Sequence, residues 1–158
     1  MSVVFSGKEV LEIAIQIEKN GFTFYSHAAQ KVTDKTAREL IEWLAREEKS
    51  HISRFEDILS SFNPEELDMS PAEFEEYSLY LKALADARVF TTELKAEEAA
   101  REVKSGKEAI DLAIGFEKDS LLFLHGIRMM VKGPDAVVVE ELQREEMLHL
   151  KKLVELKG

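Results

Sequence analysis

The sequence predicts an all-α protein: four long helices, with a long helical connection between the second and the third. Three observations carry this reading. Apolar residues recur at spacings of three and four along the whole chain, with no convincing alternating segment. The breaks are few, namely Pro64, Pro71, Pro134 and seven glycines, most of them near candidate helix ends. The tetrapeptide Ser-Gly-Lys-Glu occurs twice, at 6–9 and 105–108. The chain therefore reads as a single domain over 1–158, made of two related helical hairpins, 6–61 and 105–158, joined by a crossover, 62–104.

Each element has its own start and stop. Ser6 and Glu9 form a capping box, the serine accepting a backbone N–H and the glutamate reaching back, and the first helix then runs to about Lys31. Asp34 caps a second helix, which Asn63-Pro64 stops after about Ser61. Ser70-Pro71-Ala72-Glu73 is another capping box with proline at the first helical position. It opens a helix through about Val89, followed by a helical stretch over roughly 92–104. The crossover stripe Phe74, Tyr77, Leu81 and Leu84 is expected to pack on the bundle or on another subunit. Ser105-Gly106-Lys107-Glu108 opens the third long helix, which ends near Lys132-Gly133. Pro134 starts the last, which runs nearly to Gly158. A connection of 43 residues can travel the length of the bundle and bring the second and third long helices parallel.

The repeat extends beyond the cap. Sliding 6–25 over 105–124 gives nine identities in twenty positions, among them Ala14/Ala113, Glu18/Glu117 and Phe24/Phe123. Further on, Arg46-Glu47-Glu48 pairs with Arg144-Glu145-Glu146, and His51 with His149.

Composition narrows the function. The 158 residues carry 21 Lys+Arg against 31 Asp+Glu, a formal charge of −10, which suits neither nucleic-acid phosphates nor an anionic membrane surface. No apolar run approaches the roughly 20 residues that span a bilayer. The first seven residues lack the regions of a signal peptide, so a cytoplasmic location is expected. Zero cysteines exclude disulfides, thiolate zinc sites, iron–sulfur clusters and cysteine nucleophiles together. Gly-rich phosphate loops and nucleophile constellations are absent as well.

The chemistry lies on the apolar faces. The first stripe reads Leu11, Ala14, Glu18, Gly21, Phe22, Tyr25, Ala28. The second reads Ile41, Leu44, Glu48, His51, Ile52, Phe55, Leu59. The third reads Ile110, Ala113, Glu117, Leu121, Leu124, Ile127, and the fourth Val139, Leu142, Glu146, His149, Leu150, Leu153. Each is interrupted once by a glutamate near mid-helix, and in two of them a histidine follows three residues later on the same face. A carboxylate taken out of water must be protonated, paired or bound to a metal. No Lys or Arg lies on these stripes nearby. Two divalent ions would balance four carboxylates, and two neutral imidazoles would complete the coordination, as in di-iron and di-manganese carboxylate bundles. His27 is expected to face solvent and His125 to lie off the buried stripe, so neither is a ligand candidate.

Glu18 followed by Glu48-Lys49-Ser50-His51, and Glu117 followed by Glu146-Met147-Leu148-His149, resemble the ferritin-like di-iron carboxylate superfamily. The first hairpin is most similar to rubrerythrin. The resemblance implies a ferritin-like four-helix bundle with two non-haem iron ions per chain (manganese being the alternative). It makes Glu48 and Glu146 bridging ligands, with Glu18 and His51, and Glu117 and His149, as terminal ones. Tyr25 matches the family's tyrosine beside the site. Glu47 and Glu145 stand where an acid usually orients a histidine ring.

Departures from the family are informative. Without cysteines there is no rubredoxin module, so electrons must come from a separate donor such as a rubredoxin. Ser120 stands where rubrerythrin has an extra carboxylate that helps one iron move. Lys49 stands where bacterioferritin has its haem-binding methionine, and Met147 reads as a packing residue. The implied function is reduction of hydrogen peroxide or dioxygen in oxidative-stress protection, by a homodimer that binds neither nucleic acid nor membrane. The alternatives are a ferrous iron oxidation and handling protein, or a helical interaction protein with a structural dimetal site.

Overall fold

Local signals set the helix starts. In a computed structural model that describes residues 5–158, Ser6 and Glu9 form the reciprocal capping box at the start of α1 (Gly7–Ala28). The Ala37 N–H donates to Asp34 at 2.8 Å, at the start of α2 (Lys35–Ser61). Ser70 and Glu73 form a second capping box at α3 (Pro71–Asp86), and Thr92 caps α4 (Glu93–Glu102). Ser105 caps α5 (Gly106–Met130), but Glu108 reaches the N–H of Lys104 rather than closing the box. Gly133, at φ +68°, leads into α6 (Pro134–Lys157). Only a short 3-10 turn over Pro64–Glu66 is added, and no strand occurs among the described residues. The reading of residues 1–7 as lacking a signal peptide falls partly on 1–4, which lie outside the described residues.

Two helices end earlier than their apolar pattern suggests. α1 stops at Ala28 because the chain tightens into turns, with Lys31 donating to the Ala28 carbonyl. α3 stops at Asp86, where the Arg88 side chain donates to the carbonyls of Ala85, Phe90 and Thr91. Long arginine donors satisfy carbonyls that a helix end leaves open.

The connection of the two hairpins follows from which ends meet. A Cβ at Gly7, at the start of α1, would press on Phe62 beyond the end of α2, so those helices run antiparallel. Gly106, at the start of α5, lies beside Val32 and Ala37, so α5 begins where α2 begins and the two run parallel. The crossover makes the return trip. Asp68 donates to the Met130 carbonyl at the far end of α5, Leu81 packs on Gly126, and the Val89 N–H donates to Asp119. α3 thus descends antiparallel along α5. The buried Asn20 donates to the Phe90 carbonyl, and α4 then follows α1.

The crossover stripe packs on the bundle: Phe74 and Leu81 are buried, with Tyr77 and Leu84 partly covered. The core face of α5 is turned slightly from the expected one. Ser120 and Phe116 are buried, whereas Leu121 is only partly covered. Met147, expected to pack, is 55% exposed. No helix among the described residues is long and apolar enough to cross a membrane.

Candidate metal centre

Glu18, Glu48, Glu117, Glu146, His51 and His149 are each at most 1% exposed. Helix periodicity turns them inward from α1, α2, α5 and α6 to one level of the bundle. One side of that level is sealed by an aromatic group in which Phe24 stacks on Phe90, Phe90 on Phe116, and Phe116 meets the edge of Tyr25.

Within this level the six side chains form two overlapping sets. Glu18, Glu48, His51 and Glu146 bring one ligand atom each within 4.8 Å of one another, and so do Glu48, Glu117, Glu146 and His149. Glu48 and Glu146 belong to both. Glu146 directs Oε1 to His51 Nδ1 (2.9 Å) and Oε2 to His149 Nδ1 (3.1 Å). Glu48 directs Oε2 toward His51 (4.0 Å) and Oε1 toward His149 (3.9 Å). The two imidazoles lie face to face, 5.4 Å apart and 10° from parallel.

The remaining two carboxylates are each tied by a hydroxyl from the opposite hairpin. Tyr25 donates to Glu117 Oε1 at 2.6 Å, and Ser120 donates to Glu18 Oε1 at 2.8 Å. The other oxygen of each faces a histidine, Glu18 Oε2 at 3.2 Å from His51 and Glu117 Oε2 at 3.6 Å from His149. Ser120, noted in the sequence only for the carboxylate it replaces, is thus a hydrogen-bond donor to the cluster. It also lies 3.3 Å from Glu146.

On the outer side the acid–histidine pairs are crossed between helices and unequal. His51 Nε2 meets Glu145 Oε2 of α6 at 2.9 Å, and Arg54 donates to both oxygens of Glu145 at 2.8 Å. Glu47 of α2 stands 3.7 Å from His149 Nε2, beyond hydrogen-bond reach. Arg54 carries no sequence signal beyond its place one turn after His51 on a charged face. His27 is half-buried rather than solvent-facing, and His125 is exposed beside Gln143; both lie outside the cluster.

The electrostatics show what this arrangement lacks. Burial and the charges of Glu18 and Glu146 push Glu48 well above the usual carboxyl range, and burial with Glu146 does the same to Glu117. Burial works to neutralise His51, but hydrogen bonds to Glu145, Glu146 and Glu18 prevail and raise it to about 12. His149 is raised to about 10 against the same burial by Glu117 and Glu146. Burial opposes the ionised form of Glu146 too, yet Glu117 and the two histidines gathered around it hold it well below its ordinary value. Glu145, bonded to His51 and Arg54, is held down at about 2. Burial and Glu117 raise the Tyr25 phenol.

Both oxygens of Glu48, Glu117 Oε2 and His149 Nε2 are buried without a hydrogen-bond partner. Among the described residues no Lys or Arg pairs with any of the four glutamates. Orphaned carboxylate oxygens facing imidazole nitrogens are the donor set of a metal site, and they fit hard or intermediate divalent ions such as iron or manganese.

A family model for rubrerythrin matches residues 9–157. The chain belongs to the rubrerythrin family. That family implies a non-haem di-iron carboxylate site, and this rubrerythrin-family chain carries a donor set that fits one. Its fold matches the crystal structure of a protein from Thermotoga maritima described as a ferritin-like diiron-carboxylate protein. The TM-score is 0.76 and the identity 23%, over 99% of this chain and 97% of that one. A ferritin-like–encapsulin shell fusion protein of Pyrococcus furiosus is 30% identical over 91 residues. That match covers 58% of this chain and 25% of the fusion protein.

Proposed function

We propose that this rubrerythrin-family chain is a non-haem di-iron oxidoreductase that reduces hydrogen peroxide or dioxygen with electrons from an external donor. Glu48 and Glu146 would bridge the two ions, with Glu18 and His51 on one and Glu117 and His149 on the other. The observation that carries this is the pair of ligand sets sharing two carboxylates, each of which offers one oxygen to each half. A bound di-iron pair supplies the two electrons needed when peroxide takes up two protons and becomes two waters. The protein's part is positional. Tyr25 and Ser120 each occupy one oxygen of a terminal glutamate, which leaves the other oxygen for a metal. The aromatic group keeps bulk water from the level of the site. A cleft of about 700 Å³ between α1 and α2 has Tyr25 among its lining residues, with Arg38, Glu42 and Arg46, and is the side from which we propose that a small oxidant approaches.

These 158 residues hold no cysteine for an iron–sulfur centre, and the donor we propose to return the electrons is a separate one such as a rubredoxin. We further propose a homodimer in the cytoplasm, without nucleic-acid or membrane partners. Iron oxidation and handling is the second reading. Ser120 in place of a further carboxylate makes the ligand set nearly symmetric, and this favours that reading.

The test is anaerobic loading with Fe²⁺ followed by peroxide at a fixed ratio. One peroxide consumed per two Fe²⁺ oxidised, two irons retained per chain, and repeated turnover on adding a chemical reductant support the oxidoreductase. Accumulation of many irons per chain would favour iron handling. Bound metal without redox cycling would leave a structural dimetal bundle. Ser120→Glu should speed peroxide turnover if the missing carboxylate limits it.

A further inference from the structure

The two halves of the repeat diverge just outside the ligands. The spacing that pairs Glu47 with Glu145 and His51 with His149 also pairs Trp43 with Glu141 and Arg54 with Lys152. Arg54 is wedged between two acids, donating to both oxygens of Glu145 and to Glu141 at 3.2 Å. Glu145 is thereby held against the outer nitrogen of His51 at 2.9 Å. In the other half Trp43 takes the place of the second acid. Its ring packs edge-to-face with His149, centroids 5.1 Å apart, and Lys152 sits over the indole at 5.5 Å instead of pairing with Glu47. Glu47 stops at 3.7 Å, and His149 Nε2 has no partner.

We propose that the two metal positions are unequal, and that Arg54 is the positioning residue that makes the His51 position the tighter one. Both rings turn Nδ1 toward the carboxylates, so Nε2 is the free side on each. An acid bonded to that free nitrogen fixes the ring's tautomer and direction and makes it a better donor; losing such a partner costs about 10–100-fold in metal affinity. His51 has that partner, itself clamped by a two-oxygen arginine contact. His149 has instead an edge-to-face contact with Trp43, which restrains the ring but offers its outer nitrogen no carboxylate.

The inference rests on the dimetal reading, and titration separates the two. Metal-stripped protein is titrated with Co²⁺ against a competing chelator at fixed pH and salt. Two steps at least tenfold apart are expected for the wild type. Arg54→Gln should weaken the tight step about tenfold and draw the two together, whereas Lys152→Gln should leave both within twofold. Glu145→Gln, an isosteric change at a half-exposed site, should repeat the Arg54→Gln effect, and it decides the matter if the arginine variant folds poorly. Two equal steps in the wild type, or equal effects of Arg54→Gln and Lys152→Gln, would overturn the inference. Fewer than two ions bound per wild-type chain would remove the dimetal reading itself.

Discussion

Loading the site with metal should expel about four protons per pair of ions at neutral pH. The perturbation is the replacement of protons by M²⁺ in a core that tolerates little net charge. In the metal-free protein both imidazoles are held protonated, His51 up to about 12 and His149 up to about 10. Two imidazolium ions balance two carboxylates, and Glu146 is the one most firmly held ionised. Burial and neighbouring carboxylates drive Glu48 and Glu117 upward, toward the protonated form that would remove the remaining charge. Coordination needs every one of these four groups deprotonated. The count is then two protons from histidines and two from glutamates, about four in all, displaced by two ions of the same total charge. The overall binding constant should accordingly rise by about four decades per pH unit near pH 7. Calorimetric titration with Mn²⁺ in buffers of different ionisation enthalpy reads the proton count directly. A release of two or fewer would refute the reasoning, because it would mean that Glu48 and Glu117 are already ionised in the metal-free core.

Other consequences follow from the same geometry. Glu48, Glu117, His51 and His149 all have folded values raised above their unfolded ones, so the stability they lend the metal-free protein is full at low pH and lost as pH rises. Melting of chelated protein should therefore fall from pH 6 to pH 10 while the loaded protein changes little. Glu145, lowered to about 2, acts oppositely: its contribution is present above the ordinary carboxyl range and disappears toward pH 2. A flat profile for the chelated protein over pH 6–10 would contradict the shifts. Glu48→Ala or Glu146→Ala should leave less than one ion per chain by metal analysis, whereas Glu18→Ala should retain about one, since a bridging residue serves both ions. Gly21→Ala tests the packing beneath the site, because the added Cβ would collide with Phe116 Cζ, a ring held between Tyr25 and Phe90. Overpacking costs about 1–3 kcal/mol against a helix-propensity gain of at most about 1 kcal/mol. A net loss of about 1–2 kcal/mol is expected in urea unfolding, and stabilisation would show that the ring yields.

What the sequence determined by itself is local or periodic. Ser6, Asp34, Ser70 and Ser105 announce helix starts because a side-chain oxygen answers a backbone N–H within three residues. The four glutamates and two histidines stand out because a 3.6-residue period tells which residues share a face, and a charge on an apolar face is costly enough to demand a partner. The repeat added that the demand is met twice. What lies across from what depends on how the helices pack. Whether Ser120 or Leu121 enters the core depends on a small rotation of α5 that periodicity cannot resolve, and the result is a hydroxyl bonded to Glu18, 102 residues away in sequence. Tyr25 was legible as a neighbour of the site, but its partner Glu117 lies 92 residues on. The crossing of Glu145 to His51, and the failure of Glu47 to reach His149, depend on the relative height of α2 and α6 and on Trp43 and Arg54 filling the seam between them. A helix's own sequence records its buried face. The angle and height at which two helices meet are set by the side chains of both, and it is there that the near-symmetry of the repeat is broken.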